Sequence, residues 1–321
     1  MLSRIMRTDF YNIKEVYERM IRIAYCGNDV FANCLNLLTT REDVKIIKLF
    51  VGASKQSGYS KQVVKLAKKH HIAYTFHPVS ENDLKELFSE QKCDYILSAG
   101  YPYKIPIGAY QGVNLHPTLL PVGRGAWPFP RIILEGHTKS GTTLHKLNDR
   151  FDAGDIVLQR EFPLEAHETQ DTLFEKSTAL GPALIDEWLS HPERLWQTAQ
   201  PQPKSEYWKK LQAKDRTIDF NQNPEEINRM IHAFGKWGVI IQAENRKWLS
   251  RETDCRAETH AYKPGTILLD SHGELNVATN GGILYAAKVT EIKPPSFCKR
   301  AIRKMKSVVK KTVRMLLHST E

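Results

Sequence analysis

Strands and helices alternate over the first hundred residues, and this alternation constrains the fold more than any other feature. Apolar strands are predicted at 21–25, 44–52, 72–76 and 94–98, and helices between the first two strands, over 60–71 and near 81–91. Strands that alternate with helices of about ten residues indicate parallel β-α-β units. We therefore expect an α/β fold with a doubly wound, mostly parallel, Rossmann-like sheet.

The turn after the first strand reads Gly27-Asn28-Asp29. A dinucleotide-binding turn has the pattern G-x-G-x-x-G, because its glycines let the backbone approach a pyrophosphate. The single glycine at this turn argues against a bound dinucleotide.

The sequence changes character near residue 200. Gln200-Pro201-Gln202-Pro203 is a polar, proline-rich break typical of a linker. A helix is predicted around 224–234, and short strands follow at 238–243, 265–269, 274–279 and 283–290. We expect a first domain over 21–200, a small β-rich, barrel-like second domain over 205–291, and an N-terminal extension over 1–20.

The positive charge is concentrated in a tail at 292–321. The whole chain has a formal net charge of +10, but nine lysines and arginines lie between 292 and 320 without an acid. Residues 1–291 therefore carry only +2, which argues against nucleic acid as a partner of the folded body. The tail has the spacing of an amphipathic helix, for which contact with an anionic membrane, packing on the body and RNA binding remain open.

Several classes of protein are excluded or disfavoured. No run of 18 apolar residues exists, and the N-terminus lacks the apolar region of a secretory signal. Five cysteines without a C-x-x-C pattern argue against a disulfide framework and a zinc site. These features predict a cytoplasmic protein without a metal.

The motifs with the most chemical information lie between 113 and 156. They are V-N-L-H-P-T-L-L-P from Val113, R-G-A-W-P from Arg124, S-G-T-T-L-H from Ser140 and D-A-G-D-I from Asp152. In an extended strand, Asn114 and His116 point to the same face. An imidazole beside a carboxylate and an amide can move protons and stabilise an oxyanion.

These motifs, in this order, resemble the formyltransferase family that uses N10-formyltetrahydrofolate. Segments that begin at Asp215 (D-R-T-I-D-F) and Tyr262 (Y-K-P-G-T-I) resemble the small C-terminal β-domain of that family. The resemblance covers residues 21 to 290. It implies that Asn114, His116 and Asp152 are the catalytic set, that N10-formyltetrahydrofolate is the co-substrate, and that no metal takes part.

The resemblance also implies two binding regions. The folate pocket would be lined by Tyr103, Lys104, Ile105, Leu119, Leu120, Pro121 and Asp149. The acceptor would contact Gly27, Asn28, Arg124 and Trp127. A structural ion pair for Arg124 and packing for Trp127 remain equal alternatives, and His145 is expected to be structural or adjacent to substrate.

Three acceptors of the formyl group remain open. The H-P-T-L-L-P and G-T-T-L-H variants are similar to sugar-acting and folate-hydrolysing members, so we expect an amino-dideoxy sugar nucleotide of cell-surface glycan synthesis. Methionyl-tRNA is the second candidate, although tRNA-acting members usually carry G-T-P after the first strand. In the third, water replaces the amine and formate is released. A homodimer is expected, since most soluble oligomers are twofold.

Overall fold

The computed structural model describes residues 20–52 and 58–293. Most of the expected N-terminal extension, and the basic tail beyond Lys293, lie outside the described residues. The chain divides into two compact units: residues up to Leu211 together with His232–Gly235, and Gln212–Ile231 together with the residues from Lys236 onward. No helix in the described ranges is long and apolar enough to cross a membrane.

The first unit is built on a seven-stranded sheet. Its strands are β1 (Ile21–Gly27), β2 (Val44–Val51), β3 (Tyr74–Thr75), β4 (Tyr95–Ala99), β5 (Gly112–His116), β7 (Lys139–Lys146) and β8 (Ile156–Pro163), in the order β3-β2-β1-β4-β5-β7-β8. The first five strands in this order pair in parallel, whereas β5–β7 and β7–β8 are antiparallel. The predicted mostly parallel α/β sheet is confirmed.

Helices cover both faces of this sheet. They are α1 (Ala32–Thr40), α2 (Lys61–Lys69), α3 (Glu81–Lys85), α4 (Phe129–Leu134), α5 (Gln170–Ala179), α6 (Gly181–Ser190) and α7 (Pro192–Gln197). In β1, Ile23 and Tyr25 belong to one apolar cluster, and Ala24 and Cys26 belong to another. A strand buried on both faces reads as a continuous apolar run, which is why the sequence showed β1 so clearly.

The direction in which successive strands are added to the sheet reverses between β1 and β4. From β1 it winds outward to β2 and β3, and then returns to the other side of β1 as β4 and β5. Folds of this kind bind ligands beyond the carboxyl ends of the strands at such a switch point. Here Asn28 Nδ2 donates a hydrogen bond of 2.6 Å to the Gly100 carbonyl, which joins the loops that follow β1 and β4.

Strands β7 and β8 extend the sheet beyond the region of clear alternation. Strand β7 is almost wholly buried although it is rich in serine and threonine. Its two threonine hydroxyls are satisfied internally: Thr142 Oγ1 donates to the Ser177 carbonyl and Thr143 Oγ1 to the Thr118 carbonyl, each at 2.6 Å. A buried polar strand of this kind leaves a weak signal in hydropathy.

The second unit is rich in antiparallel β-structure. Helix α8 (Pro224–Phe234) precedes a three-stranded sheet of β10 (Val239–Ala243), β11 (Arg246–Ser250) and β16 (Thr290–Glu291), and a four-stranded sheet of β12 (Glu252–Ala257), β13 (Ile267–Ser271), β14 (Glu274–Thr279) and β15 (Gly282–Ala287). The turn after Thr279 contains the Asn-Gly pair and joins β14 to β15. The expected β-rich C-terminal region is confirmed.

Candidate active site

The candidate site forms where β4, β5 and β7 run side by side. Strand β5 ends with Asn114 and His116, two residues apart and therefore on the same face of the sheet. The strand register places Ser98 of β4 and His145 of β7 directly beside Asn114. Three neighbouring strands thus bring a hydroxyl, an amide and an imidazole into one row.

The amide of Asn114 is held at both of its polar ends. Ser98 Oγ donates to Asn114 Oδ1 at 2.7 Å, and Asn114 Nδ2 lies 3.0 Å from His145 Nε2. His145 Nδ1 lies 2.8 Å from the Lys146 carbonyl, which can only accept, so Nδ1 carries the ring proton and Nε2 accepts from Asn114. One hydrogen of the Asn114 amide is thereby used for positioning, and the other is available to an oxygen of a substrate.

His116 is buried, and its ring orientation is fixed by one carbonyl. Its Nε2 lies 2.8 Å from the Gly123 carbonyl, so Nε2 carries a proton and Nδ1 is left as the basic nitrogen. Burial lowers the pKa of His116; Asp152 and the Gly123 carbonyl oppose this effect, and His145 adds to it. The ring is therefore neutral at pH 7 and able to take a proton on Nδ1.

Asp152 comes from a loop rather than from a strand. Its Oδ1 lies 3.4 Å from His116 Nδ1 and 3.7 Å from His145 Nε2, and its Oδ2 accepts from the Gly125 amide at 2.9 Å. Burial alone would raise the pKa of Asp152, but His116, His145 and the Gly125 amide outweigh it and hold the pKa at about 2. The carboxylate is therefore charged at every physiological pH.

The Asp152 loop is held in a sparsely populated backbone conformation. Asp152 has φ of 53°, in the left-handed region, and such strain is typical of functional sites. Two residues later, a Cβ on Gly154 would lie 1.9 Å from the Lys146 carbonyl oxygen, so only glycine fits there. This close approach explains the glycine of the D-A-G-D motif.

The geometry suits addition of an amine to a carbonyl group. The Asn114 amide can donate to an oxygen that gains negative charge, and His116 Nδ1 can remove a proton from an attacking nitrogen. The imidazolium that results would lie beside the ionised Asp152. Among the described residues, no group of three or more His, Cys, Asp and Glu side chains is arranged to hold a metal ion.

Comparison with known families agrees with this geometry. The formyl transferase family matches residues 29–189, and the formyl transferase C-terminal domain matches residues 210–301. The chain belongs to the formyltransferase family. It is thus a formyl-transferring enzyme that uses N10-formyltetrahydrofolate, and the resemblance seen in the sequence is confirmed.

Individual relatives differ in their acceptors. Methionyl-tRNA formyltransferase of Ehrlichia canis (strain Jake) is 28% identical over 279 residues, covering 82% of this chain and 90% of that protein. The N-formyltransferase from Helicobacter canadensis, solved with folinic acid and dTDP-3-aminofucose, has a TM-score of 0.62 at 17% identity and covers 85% of this chain and 100% of that chain. HypX from Aquifex aeolicus with tetrahydrofolic acid has a TM-score of 0.59 at 20% identity, over 85% of this chain and 45% of that chain. The structural likenesses show the fold.

The structure brings the three expected catalytic residues of this formyltransferase together. Asn114 Nδ2 lies 3.0 Å from His145 Nε2, and Asp152 Oδ1 lies 3.4 Å from His116 Nδ1 and 3.7 Å from His145 Nε2, so the three residues lie within one cluster. The same cluster includes His145, for which the sequence left a structural or substrate-adjacent role open. It also includes Ser98, whose position beside Asn114 follows from strand register and leaves no signal in the sequence.

The residues expected to contact the acceptor are largely engaged within the protein. Gly27 is buried at the end of β1, and the Asn28 side chain bonds the Gly100 carbonyl and the Val30 amide. Arg124 is buried and donates from Nε and Nη2 to Gln202 Oε1, and within the described part of the chain it makes no ion pair of the kind considered in the sequence. Trp127 Nε1 donates to Gln170 Oε1, and its ring stacks on Phe174 with 5.7 Å between ring centroids.

The residues expected to line the folate pocket divide into exposed and buried sets. Tyr103, Lys104 and Asp149 are exposed. Ile105 and Leu120 are buried, so their side chains support the loops on which they lie. Leu119 and Pro121 are half-buried, in the loop between β5 and β6 (Arg124–Gly125).

Proposed function

We propose that this formyltransferase acts on the primary amine of an amino-dideoxy sugar nucleotide. The observation that carries the proposal is the place of His145, the last residue of the G-T-T-L-H variant. This variant and H-P-T-L-L-P are similar to sugar-acting and folate-hydrolysing members, and the histidine of G-T-T-L-H lies 3.0 Å from the Asn114 amide inside the proposed catalytic cluster. A sequence feature that distinguishes these members from tRNA-acting ones therefore includes a residue in contact with Asn114.

The residues of the cluster divide the work of transfer. The folate supplies the formyl group, whose oxygen gains negative charge as the amine adds to its carbon. Asn114 donates to that oxygen, and one such donor typically contributes ~2.7–4 kcal/mol. His116 Nδ1 takes the proton that the amine loses, worth roughly 10²–10⁴-fold in rate. The carbonyl group then re-forms as the bond between the formyl carbon and N10 of the folate breaks, and His116 returns the proton to N10, so that tetrahydrofolate leaves. Asp152 stabilises the imidazolium and orients it.

The folate would lie against Tyr103, Lys104 and Ile105 on one side and Leu119, Leu120 and Pro121 on the other. Both segments lie on loops that leave strands β4 and β5, which carry Ser98, Asn114 and His116. Folate ends in a glutamate, and the exposed Lys104 amine is suited to pair with its carboxylates, as Asp149 is to accept from a pterin edge. At the cluster, the hydrogen-bonding groups of Asn114 and His116 are suited to the formyl group of the folate.

The acceptor would enter past Trp127 and the turn at Gly27 and Asn28. Since the Asn28 and Arg124 side chains are engaged with the protein, we propose that they shape this entrance and that backbone groups make the contacts there.

Methionyl-tRNA is the second candidate acceptor, because the relatives found by sequence include methionyl-tRNA formyltransferases over most of their length. Against it stands the charge distribution: residues 1–291 carry only +2, whereas proteins that bind a phosphate backbone usually carry a basic face.

The deciding experiment is a formyl-transfer assay with N10-formyltetrahydrofolate and three acceptor conditions. One contains a panel of amino-sugar nucleotides, one contains charged initiator tRNA, and one contains no acceptor. We expect a gain of one formyl mass on a single sugar nucleotide. Formylated methionyl-tRNA would replace the proposal with the second candidate, and formate release without acceptor would indicate a hydrolase.

Two further proposals concern membrane binding and the oligomeric state. We propose that the basic segment 292–321, which lies outside the described residues apart from its first two, binds an anionic membrane surface, and that the enzyme is a homodimer. Pelleting with anionic and neutral liposomes at several salt concentrations tests the first, with a chain ending at residue 292 as control. Light scattering tests the second.

A further inference from the structure

The segment that follows α7 lies along the catalytic loops instead of leaving the first unit directly. Gln200 and Ile156 exchange backbone hydrogen bonds of 2.7 and 2.8 Å, and Ser205 Oγ donates to the Pro121 carbonyl at 2.7 Å. Strand β9 (Tyr207–Trp208) pairs in parallel with Arg124–Gly125. A stretch with the composition of a linker is thus attached to the start of β8 and to the segment from Pro121 to Gly125, close to the candidate catalytic residues.

Gln202 is the central contact of this segment. Its Nε2 donates to the carbonyls of Asp152 at 3.2 Å and Gly154 at 2.5 Å. Its Oε1 accepts from Arg124 Nε at 3.0 Å and Nη2 at 2.7 Å. The Gln202 side chain therefore links the Asp152 and Gly154 carbonyls to Arg124, the residue that precedes Gly125.

These contacts close a ring around the carboxylate. Arg124 is joined to Gly125, whose amide donates to Asp152 Oδ2 at 2.9 Å. The Asp152 backbone is joined through Gln202 back to Arg124. The ring fixes both the peptide and the carboxylate of Asp152, and this leaves Oδ1 directed at His116 Nδ1 at 3.4 Å.

We propose that Gln202 is a positioning residue for formyl transfer, which holds the left-handed turn at Asp152 so that its carboxylate faces His116. Arg124 acts in the same ring by fixing the other end of Gln202. The proposal depends on formyl transfer and not on the identity of the acceptor.

Loosening this ring has a defined electrostatic consequence. His116 is faced by Asp152, which raises its pKa, and by His145, which lowers it. Asp152 is faced in addition by the Gly125 amide, and it acts on Arg124 and Tyr207. If the Asp152 carboxylate turns away, His116 loses the negative charge that stabilises its protonated form. The pKa of His116 then falls further below 6.5, and His116 becomes a weaker base.

Two substitutions separate the two ends of Gln202. Gln202→Met keeps the length of the side chain and removes all four hydrogen bonds. Gln202→Glu keeps an acceptor for Arg124 but replaces the donor to the Asp152 and Gly154 carbonyls with a carboxylate oxygen. Gln200→Met is the matched control, since Gln200 has an exposed side chain in the same segment and donates only to the nearby Thr198 carbonyl.

The full-length variants are compared by steady-state kinetics, thermal unfolding and histidine NMR titration. The His116 signal is assigned by its absence in His116→Asn. We expect kcat to fall about 10–100-fold in both Gln202 variants, with KM values within about threefold, because small displacements of catalytic groups cost that much. We also expect the His116 pKa to fall in Gln202→Met, and neither kcat nor this pKa to change in Gln200→Met.

The NMR titration needs no acceptor, so it tests the ring even if the proposed sugar acceptor is wrong. An unchanged His116 pKa in folded Gln202→Met would overturn the proposal. So would full turnover in Gln202→Glu, because the hydrogen bonds to the Asp152 loop would then have no catalytic role. A fall in Tm without a change in kcat or in the His116 pKa would make Gln202 merely structural, which also contradicts the proposal.

Discussion

The candidate active site is assembled in two different ways in its two halves. In the strand-held half, Ser98, Asn114 and His116 lie on β4 and β5, and His145 lies on β7; neighbouring backbone hydrogen bonds set their spacing. In the loop-held half, Asp152 sits in a left-handed turn that depends on contacts from other loops.

The side chains of the two halves are held in position by different means. Strand register fixes a row of side chains without any special residue, so the strand-held half tolerates change in its neighbours. A loop in a strained conformation needs each of its hydrogen bonds, because the strain of about 1–3 kcal/mol must be offset by the surroundings. Substitutions in the two halves should therefore have different signatures, which the following variants compare.

The largest effect is expected in the strand-held half, from His116→Asn. This substitution removes the nitrogen that accepts the proton of the amine, so kcat should fall by roughly 10²–10⁴-fold. Acceptor affinity, measured by calorimetry, should stay within a few-fold because the ring acts on the reacting atoms. A large loss of affinity would show that His116 binds the acceptor instead.

Asn114→Ala should rank second. It removes one donor to the developing oxyanion, and such donors are typically worth about 10²–10³-fold in kcat. The KM for the folate should change little, since the interaction strengthens only as charge develops. Equal losses in kcat and in folate affinity would instead make Asn114 a ground-state binding residue.

Much of the fold was accessible from the sequence because its signals are local. Strands β1 and β4 are largely buried and therefore read as nearly continuous apolar runs. Strand β7 gave no such signal, since it is rich in serine and threonine and its buried threonine hydroxyls are satisfied only by partners that the fold supplies. Long-range satisfaction of polar groups is not encoded in a local pattern.

The proposed catalytic cluster was indicated by the sequence for a different reason. Asn114, His116 and Asp152 lie in motifs whose order resembles a family, and physical reasoning alone placed only the first two on one face. The contacts of Ser98 with Asn114 and of Gln202 with the Asp152 loop could not be predicted, because they join residues far apart along the chain. Arg124, considered for substrate contact, bonds Gln202, and no local feature indicates this partner.

Asp152→Asn tests the loop-held half directly. The variant keeps an oxygen for the Gly125 amide but loses the charge beside His116. An opposite charge at this distance shifts a pKa by about 1–3 units, so the His116 pKa should fall by that order and kcat by about 10–100-fold. NMR titration of His116 is the appropriate measurement, because the acceptor amine also titrates in a rate profile. An unchanged His116 pKa would show that the Asp152 charge does not act on His116.

Ser98→Ala should give the smallest effect. It tests whether strand register or single side-chain contacts hold Asn114 in position. It removes the 2.7 Å hydrogen bond to Asn114 Oδ1, a contact worth about 0.5–1.5 kcal/mol, so kcat should fall only about 2–10-fold. Register and His145 still hold Asn114 in place. Ser140→Ala is the control, because the buried Ser140 Oγ has no hydrogen-bond partner among the described residues. A loss from Ser98→Ala as large as that expected from Asn114→Ala would mean that single side-chain contacts, and not strand register, position this half as well.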